Sequence, residues 1–507
     1  VSSADLPSSL RPASVKQATD GLSGHGAAGP PPAPDGPGPA PMGALARVAA
    51  RLTDLAERYV PDAFVFALLA SGAVWLVALV STSTPAPELL KIWGEGFWEL
   101  NGFTMQMAMI VITGYVVATS PPVYRVISAL ARTPQSGRGA VAWVAFFSMA
   151  SAWFNWGLSL IFSAMLAKAI ARRMPEVDYR SLSAATFMGL GSIWAQGLSG
   201  SAALQMATPS ALPPAIREVV AHGGVVPGGV LGLSDTIFLW QSFVSVAVEI
   251  PVVTALFYFA TPVGARARGA AALGIDLGGE PGSEAAPTST RPGDWLEHRR
   301  ALSLCFVALA AGYLAVVFAT SASPLSAINF NTINLFFLAV GALAHGTPAR
   351  LMRAMREATP SVWAILLQYP FYAGIAALIS KTHLNAQIAA WFVKLSSPAS
   401  FPALIACYSA LLGIFVPSGG SKWVIEAPYV MEAAHTLKVH LGFMVAVYDL
   451  GEALANLVQP FWMVPVLGLL GLRARDVMGH TFLVFLVLTP IVLVMVTLLG
   501  ATLPYPL

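Results

Sequence analysis

The sequence predicts an all-α integral membrane protein made of two inverted repeats, each with a re-entrant helical hairpin and a broken transmembrane helix. Three observations lead there. First, 56% of the 507 residues are hydrophobic and only 10% are charged, whereas a soluble globular chain is about a quarter charged. Second, an apolar stretch too long for one crossing occurs twice, each time interrupted at its middle. It runs over 140–170 with a break at Asn155-Trp156-Gly157, and over 402–437 with a break at Pro417-Ser418-Gly419-Gly420. Third, each stretch is followed by a span with polar residues at its centre, 181–208 before Pro209 and 442–470 before Pro460. Irregular backbone at membrane depth survives only where protein or a water-filled cavity satisfies its N–H and C=O groups. Paired interruptions in two halves point to a transporter's binding site.

Along the chain, residues 1–41 are rich in Ser, Pro, Gly and Ala, lack the apolar core of a signal peptide and read as a disordered tail. Met42 opens an amphipathic, Arg-bearing segment leading into the first span, and is a candidate translation start. A span needs about 20 largely apolar residues. The first repeat, 42–261, holds candidates at 62–82, 101–120, 181–208 and 234–261 around hairpin 140–170. Residues 262–300 form a Gly/Ala/Pro-rich linker with mixed charges and few features beyond flexibility. The second repeat, 301–507, holds 302–320, 330–345, 359–380, 442–470 and 477–500 around hairpin 402–437. The 330–345 stretch is short and needs flanking residues to cross.

Basic residues set the orientation. With residue 58 cytoplasmic and 140–170 returning to its own side, 20 of the 28 Lys and Arg fall on the cytoplasmic side. Six fall outside (Lys91, Arg217, Lys381, Lys394, Lys422 and Lys438), and Arg11 and Lys16 lie in the tail. Arg132 and Arg138 precede the first interrupted stretch, and Lys168, Arg172 and Arg173 follow it, so it enters from and leaves to the cytoplasm. The second opens outward. One hairpin from each face makes the halves inverted, with the N-terminus and the linker cytoplasmic. Gln106 aligns with Gln368 at an offset of 262, Asn155 aligns with Pro417 at the same offset, and Ala207-Thr208-Pro209 aligns with Val458-Gln459-Pro460.

The second half-helix of each hairpin presents free N–H groups and a positive dipole end, a seat for a carboxylate, while the first ends in free carbonyls suited to a cation such as sodium. Asn155, Ser418 and Ser421 add polar side chains there, and Gly157, Gly419 and Gly420 let a ligand approach the backbone. Small residues that merely permit tight helix packing are the competing explanation. In 181–208 the central polar residues are Gln196, Ser199, Ser201, Gln205 and Thr208; in 442–470 Asp449, Glu452, Asn456 and Gln459 fall on one helical face. Carboxylates inside a membrane are costly unless they line a cavity or find partners, so Glu452 and Asp449 are candidates for coupling a proton or sodium ion, or an internal bonded pair. Glu249 is mid-span without a counterpart in the other half. Gln106 and Gln368 are either site-lining amides or interhelical links, and Lys422 assists a carboxylate from the outer side or snorkels.

In order and spacing, the motifs resemble the bacterial short-chain fatty acid transporter family. They are Trp93-Gly94-Glu95-Gly96-Phe97-Trp98, Met105-Gln106-Met107-Ala108, Asn155-Trp156-Gly157, Ser199-Gly200-Ser201, Ala207-Thr208-Pro209, Val416-Pro417-Ser418-Gly419-Gly420 with Trp423-Val424-Ile425, and Gln459-Pro460-Phe461-Trp462. The likeness covers about residues 42–499. It implies membership of the wider ion transporter superfamily, a bacterial cytoplasmic (inner) membrane location, uptake of short carboxylates such as acetoacetate or butyrate, an elevator motion and a homodimer. The family's third glycine after Pro-Ser is Ser421 here, a nearby His is Lys422 and a Gln is Glu426.

The expected substrate site is Asn155, Trp156, Gly157, Ser199, Ser201, Thr208, Ser418, Gly419, Gly420, Asn456 and Gln459, with a small carboxylate and the lipid bilayer as partners. No cofactor beyond a coupling H+ or Na+ is expected, and a net charge of +3 gives nucleic acid no purchase. Cys305 and Cys407 lie inside apolar spans and read as small core hydrophobes. The competing functions are an intramembrane serine hydrolase at Gly197-Leu198-Ser199-Gly200, which lacks a membrane-embedded His base, a channel, for which no charge ring is visible, and a transporter of another small organic anion.

Overall fold

The computed structural model of the protein describes residues 63–278, 292–414, 416, 418–459 and 461–507. The tail, Met42 and the Arg-bearing segment lie outside the described residues, as do 279–291, Pro417 and Pro460. Among the described residues every regular element is helical. The expected spans appear as Ala63–Ser81, Asn101–Ala118, Trp240–Ala260, Arg300–Thr320, Phe330–His345, Trp363–Lys381 and Ala474–Gly500. Four of these are long and apolar enough to cross a membrane: Asn101–Ala118, Trp240–Ala260, Arg300–Thr320 and Ala474–Gly500. The last three are only 17% to 22% buried. Helices apolar all round and left uncovered by protein need lipid against them. Asn101–Ala118, 61% buried, instead runs through the interior.

Each interrupted stretch turns back on itself. Gly137–Phe154 and Trp156–Arg173 are separated by Asn155 alone, in extended backbone with φ −159° and ψ 122°. The Asn155 Oδ1 accepts from the Leu158 N–H at 2.8 Å and caps the second arm. Phe147 and Phe162 meet with ring centroids 6.4 Å apart, where a continuous helix would put them about 22 Å apart at 1.5 Å per residue. Arg173 returns to the start of the first arm and donates to the Ala131 carbonyl at 3.0 Å. In the second stretch, Phe401–Gly413 and Gly419–Leu437 fold back so that the Tyr408 and Tyr429 hydroxyls lie 2.8 Å apart. Ser418, with φ −154°, caps this second arm. The equivalent caps are thus Asn155 and Ser418, one residue later than the matching of Asn155 with Pro417.

Both following spans are broken. The first comprises Tyr179–Ala185, Met188–Gly191, a 3-10 turn at Ile193–Gln196, a turn closed by the Gly200 N–H on the Gly197 carbonyl at 2.9 Å, and Ser201–Met206. Gly197 is required there because the Trp153 backbone occupies the place of a Cβ, and the Leu198 N–H bonds the Trp153 carbonyl at 2.7 Å. The second comprises Leu441–Asn456 and Met463–Leu470, with Gln459 in the gap.

The halves repeat in detail. Ser148, on the first arm of one hairpin, donates to the Thr186 carbonyl of its broken helix at 2.7 Å, and Ser409 donates to the Tyr448 carbonyl at 2.8 Å. The Ser148 carbonyl accepts from Ser159 Oγ at 2.7 Å, while the Ser409 carbonyl accepts from Lys422 Nζ at 2.8 Å.

Two expectations are corrected. The linker is docked over its first part: Asp178 Oδ2 accepts from the Arg268 N–H at 3.0 Å, the Tyr179 N–H bonds the Arg268 carbonyl at 2.9 Å, and Arg172 donates to the Leu277 carbonyl at 2.7 Å. The Asp178 carboxylate, the Tyr179 N–H and the Arg172 guanidinium at the base of the first hairpin recruit it, a requirement that composition does not reveal. Cys305 and Cys407 are free but exposed, because the apolar helices bearing them turn those faces outward instead of to the core.

Candidate functional site

A small cavity lies where the two hairpin tips and the two broken helices converge. Trp156 reaches it from the first tip; Ser418, Gly419 and Gly420 reach it from the second. The broken helices supply Leu190, Trp194 and Ser201 from one half, and Glu452, Asn456 and Trp462 from the other. Met107, Ile365 and Tyr369 close it from Asn101–Ala118 and Trp363–Lys381.

Aromatic walls dominate. Trp156 packs edge-on to Trp462 with centroids 5.2 Å apart, and Phe103 stacks on Tyr369 at 5.6 Å. Polar groups are few and fixed. The Tyr369 hydroxyl lies 3.1 Å from Ser418 Oγ. The indole N–H groups of Trp156 and Trp194 are buried and have no hydrogen-bond partner among the described residues. A buried donor left unmade is costly, so these two favour a ligand that accepts.

The second broken helix carries the charges. Asp449 Oδ2 accepts from the Ala202 N–H at 2.8 Å, and Oδ1 lies 3.4 Å from Ser201 Oγ, so Asp449 caps the short Ser201–Met206 helix of the other half. Glu452 lies 2.6 Å from the Lys422 ammonium, and both side chains are 2% exposed or less. Lys422 therefore neither snorkels nor belongs in the outer charge tally. The Glu452 carboxylate draws it inward, because a buried charge needs a partner. Asn456 donates to the Leu190 carbonyl at 3.2 Å and accepts from Gln459 Nε2 at 2.7 Å.

Of the expected site residues, Trp156, Ser201, Ser418, Gly419, Gly420, Asn456 and Glu452 line the cavity. The others support it or lie elsewhere. Asn155 caps its arm, and Gly157 packs against the Ile110 carbonyl, where a Cβ would come within 3.3 Å. Ser199 Oγ accepts from the Trp156 N–H at 3.0 Å, fixing the first tip. Thr208 accepts from the Phe330 N–H at 3.0 Å, and Gln459 accepts from the Phe461 N–H at 2.7 Å. Gln106 links helices through Asn331 at 2.8 Å, and Gln368 accepts from the Tyr372 hydroxyl at 3.2 Å. Glu249 accepts from Gln196 at 2.7 Å, away from the cavity.

Sequence reasoning missed Met107, Leu190, Trp194, Ile365, Tyr369 and Trp462 as lining residues. Tyr369 adjoins the flagged Gln368, but among Trp363, Phe371 and Tyr372 of the same apolar helix it reads as core.

The Asn155 cap has a measurable weight. Asn155→Ala removes an N-cap acceptor and is expected to lower stability by about 1 kcal/mol, with substrate preference unchanged. Unfolding in detergent and competition by short carboxylates check both parts.

The profile of the family described as "Short chain fatty acid transporter" matches residues 44–499. The chain belongs to the short-chain fatty acid transporter family. A relative from Escherichia coli (strain K12), provisionally named a short-chain fatty acid transporter, is 35% identical over 446 residues, covering 86% of this chain and 96% of the relative. One from Haemophilus influenzae with the same provisional name is 32% identical over 457 residues, covering 89% and 99%. Among solved structures, the Alcanivorax borkumensis YdaH transporter, described as having an unusual topology, matches with TM-score 0.56 at 16% identity, over 87% of this chain and 98% of that one. Neisseria gonorrhoeae MtrF, described within a class of antimetabolite efflux pumps, matches with TM-score 0.56 at 14% identity, over 91% and 98%. These two share the fold. The family member described here is accordingly a multi-pass membrane transporter and not an enzyme.

Proposed function

We propose that the chain is a secondary active transporter of short-chain carboxylates across the bacterial inner membrane, with the cavity between the hairpin tips as the substrate site. One observation carries this: the cavity offers unpartnered donors within an apolar, aromatic wall. Trp156 Nε1, Trp194 Nε1, the Ser418 hydroxyl and the free N–H groups at the start of Gly419–Leu437 suit a carboxylate. Trp462, Leu190, Met107 and Ile365 suit a short alkyl chain. Glu452, in the wall, would repel an anion, but Lys422 neutralises it.

The hairpins are taken to be re-entrant from opposite faces, with the N-terminus cytoplasmic. Coupling is symport with a proton or sodium ion, and access alternates by an elevator motion. Ties within each half (Ser148 to Thr186, Ser409 to Tyr448) and between them (Asp449 to Ala202, Asn456 to Leu190) would let the cavity travel as one body. The hydrolase alternative has no support, since Ser199 Oγ is engaged by the Trp156 N–H. Ser181 does lie 2.9 Å from His480, but it donates to Asp178 and is not poised as a nucleophile.

Counterflow in proteoliposomes tests this. Preloaded butyrate, acetate or acetoacetate is expected to accelerate entry of labelled butyrate, and butyramide is expected not to. Equal acceleration by the uncharged amide, or none by any carboxylate, defeats the assignment.

A further inference from the structure

We propose that the Lys422 ammonium occupies the seat that a coupling sodium ion would take, so that transport by this chain does not require sodium. The proposal rests on the transport reading above and narrows its coupling ion.

The ammonium is held by oxygens of three kinds. Nζ lies 2.6 Å from Glu452 Oε2, 2.8 Å from the Ser409 carbonyl and 3.4 Å from Ser409 Oγ. Carboxylate, carbonyl and hydroxyl are the ligand types that hard cations use. Space has been kept for it: a Cβ at Gly413 would collide with Glu452 Oε2. The charge is costly where it stands. Lys422 is 1% exposed, and a cation in the first turn of a helix opposes the dipole.

The fold does not demand this pair. At the matching place in the first half, Ser159 donates to the Ser148 carbonyl as Lys422 does to that of Ser409. Four residues beyond Thr186 stands Leu190, and four beyond Tyr448 stands Glu452; both line the cavity. A hydroxyl and an alkyl group therefore build one half, and a charge pair has been placed in the other, beside the substrate. Glu426 and Asp449 also lie within electrostatic reach of Lys422.

The experiment compares sodium with choline at constant pH, reading butyrate uptake in proteoliposomes and melting temperature in detergent. For the natural protein, neither quantity is expected to change. For Lys422→Ser, which leaves Glu452 and Ser409 facing an emptied seat, sodium is expected to raise the melting temperature with concentration and to raise uptake about tenfold, within the range usual for coupled ligands. Lys422→Ser with Glu452→Leu, copying the first half, is expected to lose the sodium response. Sodium-dependent uptake or stabilisation of the natural protein overturns the proposal, as does a Lys422→Ser protein indifferent to sodium. If that variant does not fold, Lys422→Ala takes its place, and the natural protein's sodium response decides independently. If no carboxylate enters under any condition, the transport reading fails, while the melting temperatures still test the seat.

Discussion

A Lys422→Met protein is expected to be the least stable single variant at the cavity. Removing one partner of a buried ion pair leaves the other charge uncompensated, which costs about 3–5 kcal/mol, and the Glu452 side chain is 1% exposed. Replacing both members is a different matter, since buried pairs exchanged for packed neutral groups are often neutral or stabilising. Lys422→Ser combined with Glu452→Leu reproduces the serine and leucine at 159 and 190, so the backbone carbonyl of Ser409 keeps a donor. The double variant is expected to recover most of the loss. Chemical unfolding in detergent measures both, and a double variant as unstable as Lys422→Met would show that the two halves are not interchangeable at this position.

The second large effect is on transport. Gly419→Val is expected to cut uptake about a hundredfold, the scale set by an ångström of misplacement at a site. A Cβ at 419 would come within 2.9 Å of Asp449 Oδ1 and of Ser201 Oγ, and within 3.0 Å of the Trp194 ring. These neighbours are held by the Asp449 bond to the Ala202 N–H and by the aromatic packing, so the second tip must retreat and the cavity deform. Gly102→Ala is the comparison, because a Cβ there meets nothing within 4 Å. Labelled uptake, normalised to protein that elutes as a single species, reads the effect. Normal uptake by Gly419→Val would remove the second tip from the substrate path.

The architecture was legible because it depends on backbone satisfaction in an apolar solvent. Small and polar residues at the middle of an over-long apolar stretch leave few options, and Asn155 and Ser418 cap the arms at those interruptions. The same logic located the cavity through Trp156, Ser418, Gly419, Gly420 and Ser201. It erred where a polar residue serves the fold beside the site. Asn155, Ser199 and Thr208 carry the right chemistry, but the side-chain oxygen of each accepts from a backbone N–H, while the Asn155 Nδ2 keeps no partner among the described residues. Nothing in one sequence separates a cap from a ligand when both are a hydroxyl or amide near a glycine. Lys422 was misplaced for a related reason: counting charges by loop assigns a lysine to the nearest interface, and only the facing carboxylate, thirty residues on, draws it inside. Trp194 and Tyr369 were hidden by their apolar bulk, because the polar edge of an aromatic side chain has no periodicity of its own.

The bonds that cross between the halves do not rely on the covalent thread joining them. Thr208 is tied to Phe330, Gln106 to Asn331, His345 to the Val116 carbonyl and Tyr179 to that of Leu470, all through contacts of 2.8–3.0 Å, none of them made by residues 279–291. A chain nicked within that stretch would thus stay assembled, and two separately synthesised fragments carry enough mutual hydrogen bonding to find one another in a bilayer. Fusion of a pair of once independent polypeptides is one history that such interlocking would permit.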